Sequence, residues 1–346
     1  MSDHRDPIQP PLMTTVVGSY SVPEWLERLK DDHYQRRIST EHLAEIHEVA
    51  IKAALKDQER VGIDVVSDGE LRRDNDMDYL LLRIPGVEVS QPTKLHYFDY
   101  YEATVHAPLP EPSEGALGLV SDYQFAAANT DRPVKFSFTG PFSLSRRITS
   151  HPYSDERELV LAIARWLNAE ARALVHAGAR HLQIDEPFLA GYTDQVGLAI
   201  EAVNTVVSGV DAAWALHVCY GNRHARPLWE GHYSFLFPAV LDAQIDRLTL
   251  EFARKGYDDL ALIAEHGWDR QLGLGVIDVK SHQVETADVV AERIQRALEL
   301  VPPERLVVNP DCGLRHLPTG IAVAKLSAMV EGAALARAEL KEPDRV

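Results

Sequence analysis

The sequence predicts an α/β fold, a (β/α)8 TIM-type barrel with an inserted segment over its C-terminal face. Three observations predict it. Eight short apolar runs each end in polar, Gly or Pro residues. Helical periodicities lie between them, three of them closed by a glycine. No Pro-, Gly- or Ser-rich linker divides the 346 residues, so 1–346 reads as one domain. Runs rather than strict alternations mark parallel strands covered on both faces. Strand–helix alternation means a parallel sheet with right-handed crossovers, and eight such units close a barrel.

In order, the expected strands are 14–20 (TTVVGSY), 64–70 (DVVSDGE), 134–141 (VKFSFTGP) and 181–187 (HLQIDEP), then 213–220 (AWALHVCY), 247–252 (RLTLEF), 272–279 (LGLGVIDV) and 305–313 (RLVVNPDCG). Thr40 caps a helix whose Ile46, Val49, Ala50 and Ala53 share a face. It ends near Val61 and Gly62, where glycine takes the left-handed cap. Leu159, Ile163, Trp166, Leu167 and Leu174 mark a second helix, ended by Gly178, and a third runs through Leu260 and Ile263 to Gly267. Segment 21–39 reads as an amphipathic connector. Segment 78–131, rich in aromatics and Pro, reads as an insertion between strands two and three: a hairpin and a helix over the barrel mouth. Long insertions in βα loops form lids and binding loops.

Lys and Arg number 35 against 52 Asp and Glu, a formal charge of −17, and no basic run stands out. That argues against nucleic acid as a partner, because a phosphate backbone rewards clustered cations. It argues also against anionic membrane surfaces. No run of about 18 apolar residues is present to span a membrane. Segment 1–15 is polar and Pro-rich, without the apolar core of a signal peptide. A cytoplasmic location is therefore expected. There a disulfide between the two cysteines, Cys219 and Cys312, is disfavoured.

The chemistry-bearing residues fall where barrel enzymes place their sites, at the C-terminal ends of the strands. Ser19, Glu70, Asp185, Glu186, His217, Cys219, Glu251, Asp278 and Cys312 would converge there. His217 and Cys219 are two apart on one strand and so point to the same side. Glu251 ends strand six and Cys312 ends strand eight. Imidazole, thiolate and carboxylate are the usual ligands of zinc. The same residues also fit a plainer description of two core thiols, a satisfied histidine and a solvated glutamate. His224 offers a competing His-x-Cys-x4-His pattern.

The stretches VVGSY, VSDGE, FTGP, QIDEP, HVCYGN, LTLEF and VNPDCGLR resemble, in the same order, the catalytic half of the cobalamin-independent methionine synthase family. The resemblance runs over nearly the whole chain and is to the short, single-barrel relatives. It implies a zinc-dependent methyl transfer to homocysteine, giving methionine. His217, Cys219, Glu251 and Cys312 would hold the Zn2+, with Glu251 as the ligand exchanged for the substrate thiolate. Gly18, Ser19, Glu70 and Asp185 would hold the amino-acid end of homocysteine, with Asp185 also counted among the catalytic residues. Zinc at +2 with three anionic ligands leaves a net −1, which keeps electron density on the bound sulfur.

Two departures from the family pattern bear on the methyl donor. The family's D-x-H-S run, whose His donates a proton, here reads Asp278-Val279-Lys280-Ser281. Lys280 takes that place, either as a proton donor whose pKa is lowered by desolvation or as an anion binder, with His282 as a nearby substitute. The segment after FTGP carries no Trp and instead has Arg146 and Arg147, as anion binders or as partners of Asp155 or Glu156. The donor is thus a methyl-folate or a methyl-corrinoid, free or protein-bound. The cations also motivate an alternative, addition of a sulfonate-bearing thiol of the coenzyme M type to an epoxide. A non-catalytic zinc- or corrinoid-binding partner protein is a minor alternative.

Overall fold

A computed structural model describes residues 10–89, 96 and 98–340. Most of segment 1–15, read above for a signal peptide, lies outside these residues, as do both ends of the proposed domain 1–346 and positions 90–95 and 97 of the expected insertion. The elements are, in order, α1 (Glu24–Tyr34), α2 (Thr40–Val61), α3 (Asp78–Leu81), β1 (Glu88–Val89), β2 (Ala103–Val105), α4 (Leu119–Ala127), β3 (Lys135–Thr139), α5 (Pro141–Ser145), β4 (Ile148–Ser150), α6 (Glu156–His176), β5 (His181–Asp185), α7 (Val196–Val207), β6 (Ala213–Val218), β7 (Arg247–Leu250), α8 (Leu260–Glu265), β8 (Gln271–Gly275), α9 (Ala287–Leu298), β9 (Leu306–Asn309) and α10 (Thr319–Leu340).

Strands β3, β5, β6, β7, β8 and β9 form a six-stranded sheet in that order, every pair parallel. The first two expected strands are not full strands. They contribute single parallel bridges, Thr14 to Val308, Thr15 to Val65 and Val66 to Val134, which link β9 to β3. The physical reason is that side chains take the backbone groups a ladder would use. The Gln58 amide bonds both the N–H and the C=O of Ser67. The carbonyls of Val16, Val17 and Gly18 accept from Lys135, Gln183 and Ser67.

Residues alternate across each strand. On one side Phe136, Phe138, Leu182, Ile184, Leu216 and Leu248 are buried in the apolar core. The other phase is polar and also buried: Lys135, Ser137, Thr139, Gln183, His217, Arg247 and Thr249. The register aligns Thr139, Asp185, His217 and Thr249 in one row.

The cap of helix α2 is Ser39 and not the expected Thr40, which is the first helical residue: Ser39 Oγ accepts from the His42 N–H, and Gly62 closes the helix at φ +91°. Its buried residues are Leu43, His47, Ala50, Ile51, Ala54, Leu55 and Gln58, so the expected face is corrected: Val49 is 61% exposed. The expected face of α6 is buried throughout, and Gly178 and Gly267 follow α6 and α8 with positive φ. Segment 21–39 contains α1. Segment 78–131 contains α3, an antiparallel β1–β2 pair and α4, with β2 pairing parallel to β4. Helix α10 amends the expectation of no spanning-length apolar segment, since by length and composition alone it could cross a membrane. It packs instead on α9 and α2, burying Ala322, Leu326, Met329 and Ala333.

Candidate metal centre and substrate cleft

His217 lies near the end of β6 and Cys219 just beyond it, while Cys312 follows β9. The parallel register therefore gathers residues distant in sequence. One ligand atom from each of His217, Cys219 and Cys312 lies within 4.8 Å of the others. His217 Nδ1 faces the Thr249 carbonyl at 3.3 Å. That contact suits an Nδ1–H tautomer and leaves Nε2 as the free donor atom. Nε2 is buried and has no hydrogen-bond partner among the described residues.

The two thiols are coupled. The Cys219 S–H donates to Cys312, which drives Cys312 well below the usual thiol range; burial opposes this and His217 assists it. The same bond, with burial, pushes Cys219 well above that range. Burial disfavours an imidazolium at His217, but Cys312 outweighs it and the pKa rises.

Glu251 stands beside this cluster, though outside the three-donor set. Its Oε1 accepts from Lys280 Nζ at 2.8 Å and from the Tyr220 N–H at 3.2 Å. Its Oε2 makes no hydrogen bond among the described residues and lies 3.8 Å from Arg254 Nε. Of the two expectations for Lys280, a proton donor of lowered pKa or an anion binder, the contact with the Glu251 carboxylate favours the second. Burial does disfavour the lysine's charge, but Cys312 and Glu251 outweigh that and raise its pKa to about 12. His282 is exposed and does not line the cleft. Asp278 turns the chain toward Lys280, accepting its N–H. Asp311, beside Cys312, accepts the N–H groups of Phe252, Ala253 and Arg254 and so fixes the loop after Glu251.

The donors open into a cleft lined by Ser19, Glu70, Asp185, His217, Cys219 and Cys312 among others. Glu70 adopts the left-handed region at φ +55°, with its N–H donating to Asp68. Its Oε1 accepts from Ser137 Oγ at 2.6 Å and faces Arg73 at 3.3 Å. Gly18 lies beneath it, where a Cβ would come within 2.4 Å of that oxygen. Asp185 accepts from Gln183 at 2.7 Å, and burial pushes it up to about 7 against the pull of His217. Glu186 points away from the cleft and caps α5, accepting from the Phe142 and Ser143 N–H groups.

Among the lining residues that sequence reasoning missed are Asp76, Phe98, Tyr100, Arg223 and Arg315. Tyr100 donates to Asp76, and the Arg223 and Arg315 guanidinium groups stack on Tyr100 and Phe98. The aromatic density of 96–101 was the available signal. Arg146 pairs with Glu156, and the His224 ring lies against the His316 ring, 5.7 Å between centroids, with its backbone N–H donating to His316 Nε2, outside the three-donor set.

A parallel α/β sheet with a His–Cys–Cys donor set at the carboxyl ends of its strands, beside an acidic cleft, defines a class of small-substrate enzymes built around a metal-competent site. The family model for the cobalamin-independent synthase catalytic domain matches residues 12–335, and the chain belongs to that family. It is 36% identical over 334 residues to the methionine synthase of Saccharolobus solfataricus, covering 96% of this chain and 97% of the relative. The Sulfurisphaera tokodaii methionine synthase is 34% identical, with 96% and 94% covered. Among solved structures, a B12-independent methionine synthase from Shewanella sp. W3-18-1, in complex with selenomethionine, superposes with a TM-score of 0.82. The two are 26% identical, with 96% of this chain and 99% of that one covered.

Proposed function

We propose that this methyltransferase forms methionine from homocysteine at a zinc site held by His217, Cys219 and Cys312, with Glu251 as a fourth, exchangeable ligand. The observation that carries the reading is the buried, unpartnered His217 Nε2 beside two coupled thiols. A buried polar atom without a partner is costly, and an imidazole–thiolate set suits zinc. When bound, zinc favours the thiolate form of an incoming thiol at neutral pH.

The protein's own groups do the rest. Thr249 orients the His217 ring. Glu70 and Asp185, held by Ser137 and Gln183, offer acceptors to the substrate ammonium. The Gly18–Ser19 backbone faces its carboxylate. Phe98 and Tyr100 line the cleft with aromatic surface. We infer, too, that the six strands and the bridged segments 14–15 and 65–66 close as a (β/α)8 barrel, which the continuous chain of parallel bridges supports. The methyl donor is a folate or a corrinoid. The sulfonate-thiol alternative loses two of its cations, since Lys280 is committed to Glu251 and Arg146 to Glu156.

The test is metal analysis of the purified protein with a methyl-transfer assay, run with methyl-folate and methyl-cobalamin as separate arms. One zinc per chain and methionine formation with either donor are expected, with Cys312→Ser losing both. A protein that takes no zinc, or whose zinc form ignores homocysteine, overturns the reading.

A further inference from the structure

Lys280 and Glu251 form the most deeply buried ion pair beside the donor cluster, with side chains 4% and 0% exposed and Nζ 2.8 Å from Oε1. The carboxylate would otherwise be poorly served. Apart from Lys280, Oε1 has only the Tyr220 N–H, at 3.2 Å, and Oε2 has no hydrogen bond among the described residues. A buried carboxylate stripped of its cation turns to the next positive charge within reach. Arg254 Nε lies 3.8 Å from Oε2, but its guanidinium is already held by both Glu230 oxygens at 3.0 Å, so in a loaded site that charge is the divalent ion.

We propose that Lys280 is a positioning residue that competes with the metal for Glu251, holding the carboxylate away from the three-donor set so that an incoming thiolate can take the fourth position. The inference rests on the reading of His217, Cys219 and Cys312 as metal donors. Its physical content is a choice between two partners for one buried carboxylate. With the thiolate absent, Glu251 closes the site. With the thiolate bound, Glu251 falls back on Lys280 and is not left uncompensated. Lys280 therefore acts through Glu251 and touches neither reacting atom.

The test uses the full-length protein loaded with cobalt(II), whose absorption reports coordination, and a chelator competition for metal affinity. In Lys280→Met the freed carboxylate closes the site. Metal is then held about tenfold tighter and homocysteine bound about tenfold more weakly, the scale typical of groups that act through a ligand. Lys280→Arg, which keeps the ion pair, restores wild-type exchange. Lys280→Gln carries the same expectation as the methionine variant should the latter not fold. In a Glu251→Gln background the Lys280→Met change has no effect on either affinity.

Unchanged metal and homocysteine affinities in Lys280→Met overturn the proposal. So does an equal effect in the Glu251→Gln background, which would mean that the lysine acts only through its long-range charge. Wild-type protein that takes no cobalt is a different failure, because it removes the metal reading itself.

Discussion

Gly18 and Glu70 show how one position can be demanded by another. Glu70 holds a left-handed backbone, and its carboxylate occupies the space a Cβ on Gly18 would need, 2.4 Å from Oε1 and 2.6 Å from Ser137 Oγ. Both clashing atoms end flexible side chains, so Gly18→Ala is expected to fold and lose only ~1 kcal/mol of stability. If Glu70 holds the substrate ammonium as proposed, the displaced carboxylate loses that contact, and the homocysteine KM should rise at least about tenfold. Steady-state kinetics with a urea melt checks both, and an unchanged KM removes Glu70 from the substrate site. At this scale the sequence was informative where chemistry sits in short motifs, as with His217 and Cys219 two apart at the end of β6. It was silent where contact is made by distant loops. Nothing in the spacing of Phe98, Tyr100, Arg223 and Arg315 says that these side chains meet over the cleft. His282, chosen for nearness in sequence to Lys280, is exposed because the loop turns it outward.

At the scale of the element, helix ends were easier to read than helix faces. The stop at Gly62 follows from backbone sterics, since φ +91° is strained for any residue with a Cβ. An added Cβ there would stand 3.4 Å from Val330, an ordinary contact, so the cost of Gly62→Ala is conformational. A loss of ~1–2 kcal/mol is expected, seen as a lower urea midpoint at unchanged slope. A loss below about 0.3 kcal/mol would mean that the helix end relaxes to another conformation. The face of α2 was misread because its pattern holds two apolar stripes. Ile46, Val49 and Ala53 form one, but burial goes to the adjacent stripe of Leu43, Ala50, Ala54 and Leu55, with the polar His47 and Gln58 on it. Gln58 is inside because its amide serves the backbone of Ser67, which no periodicity can anticipate.

For the whole molecule, the six central strands were legible because each is an apolar run that ends in chemistry, and the parallel register then assembles the donor cluster from β6 and β9. The two remaining segments gave the same signal yet form only single bridges, because side chains replace their ladder bonds. The link these segments make between β9 and β3 therefore depends on a few polar contacts. Asp64 Oδ2 accepts from the Thr14 N–H at 2.8 Å, from Thr14 Oγ1 at 2.9 Å and from Arg337 on α10 at 3.0 Å. It ties the 14–15 segment both to its neighbour and to the last helix. Thr14 is fully buried, so removing the acceptor leaves a buried N–H unpaired. Asp64→Ala should lose ~2–3 kcal/mol, and hydrogen exchange at Thr15 and Val308 should quicken more than exchange within β5 and β6, because their bridge sits beside the lost contacts. Asp64→Asn keeps an acceptor for Thr14 and gives up only the charge toward Arg337, so its loss should be the smaller. Uniformly faster exchange across the sheet would show that the segments are not a separable seam between β9 and β3.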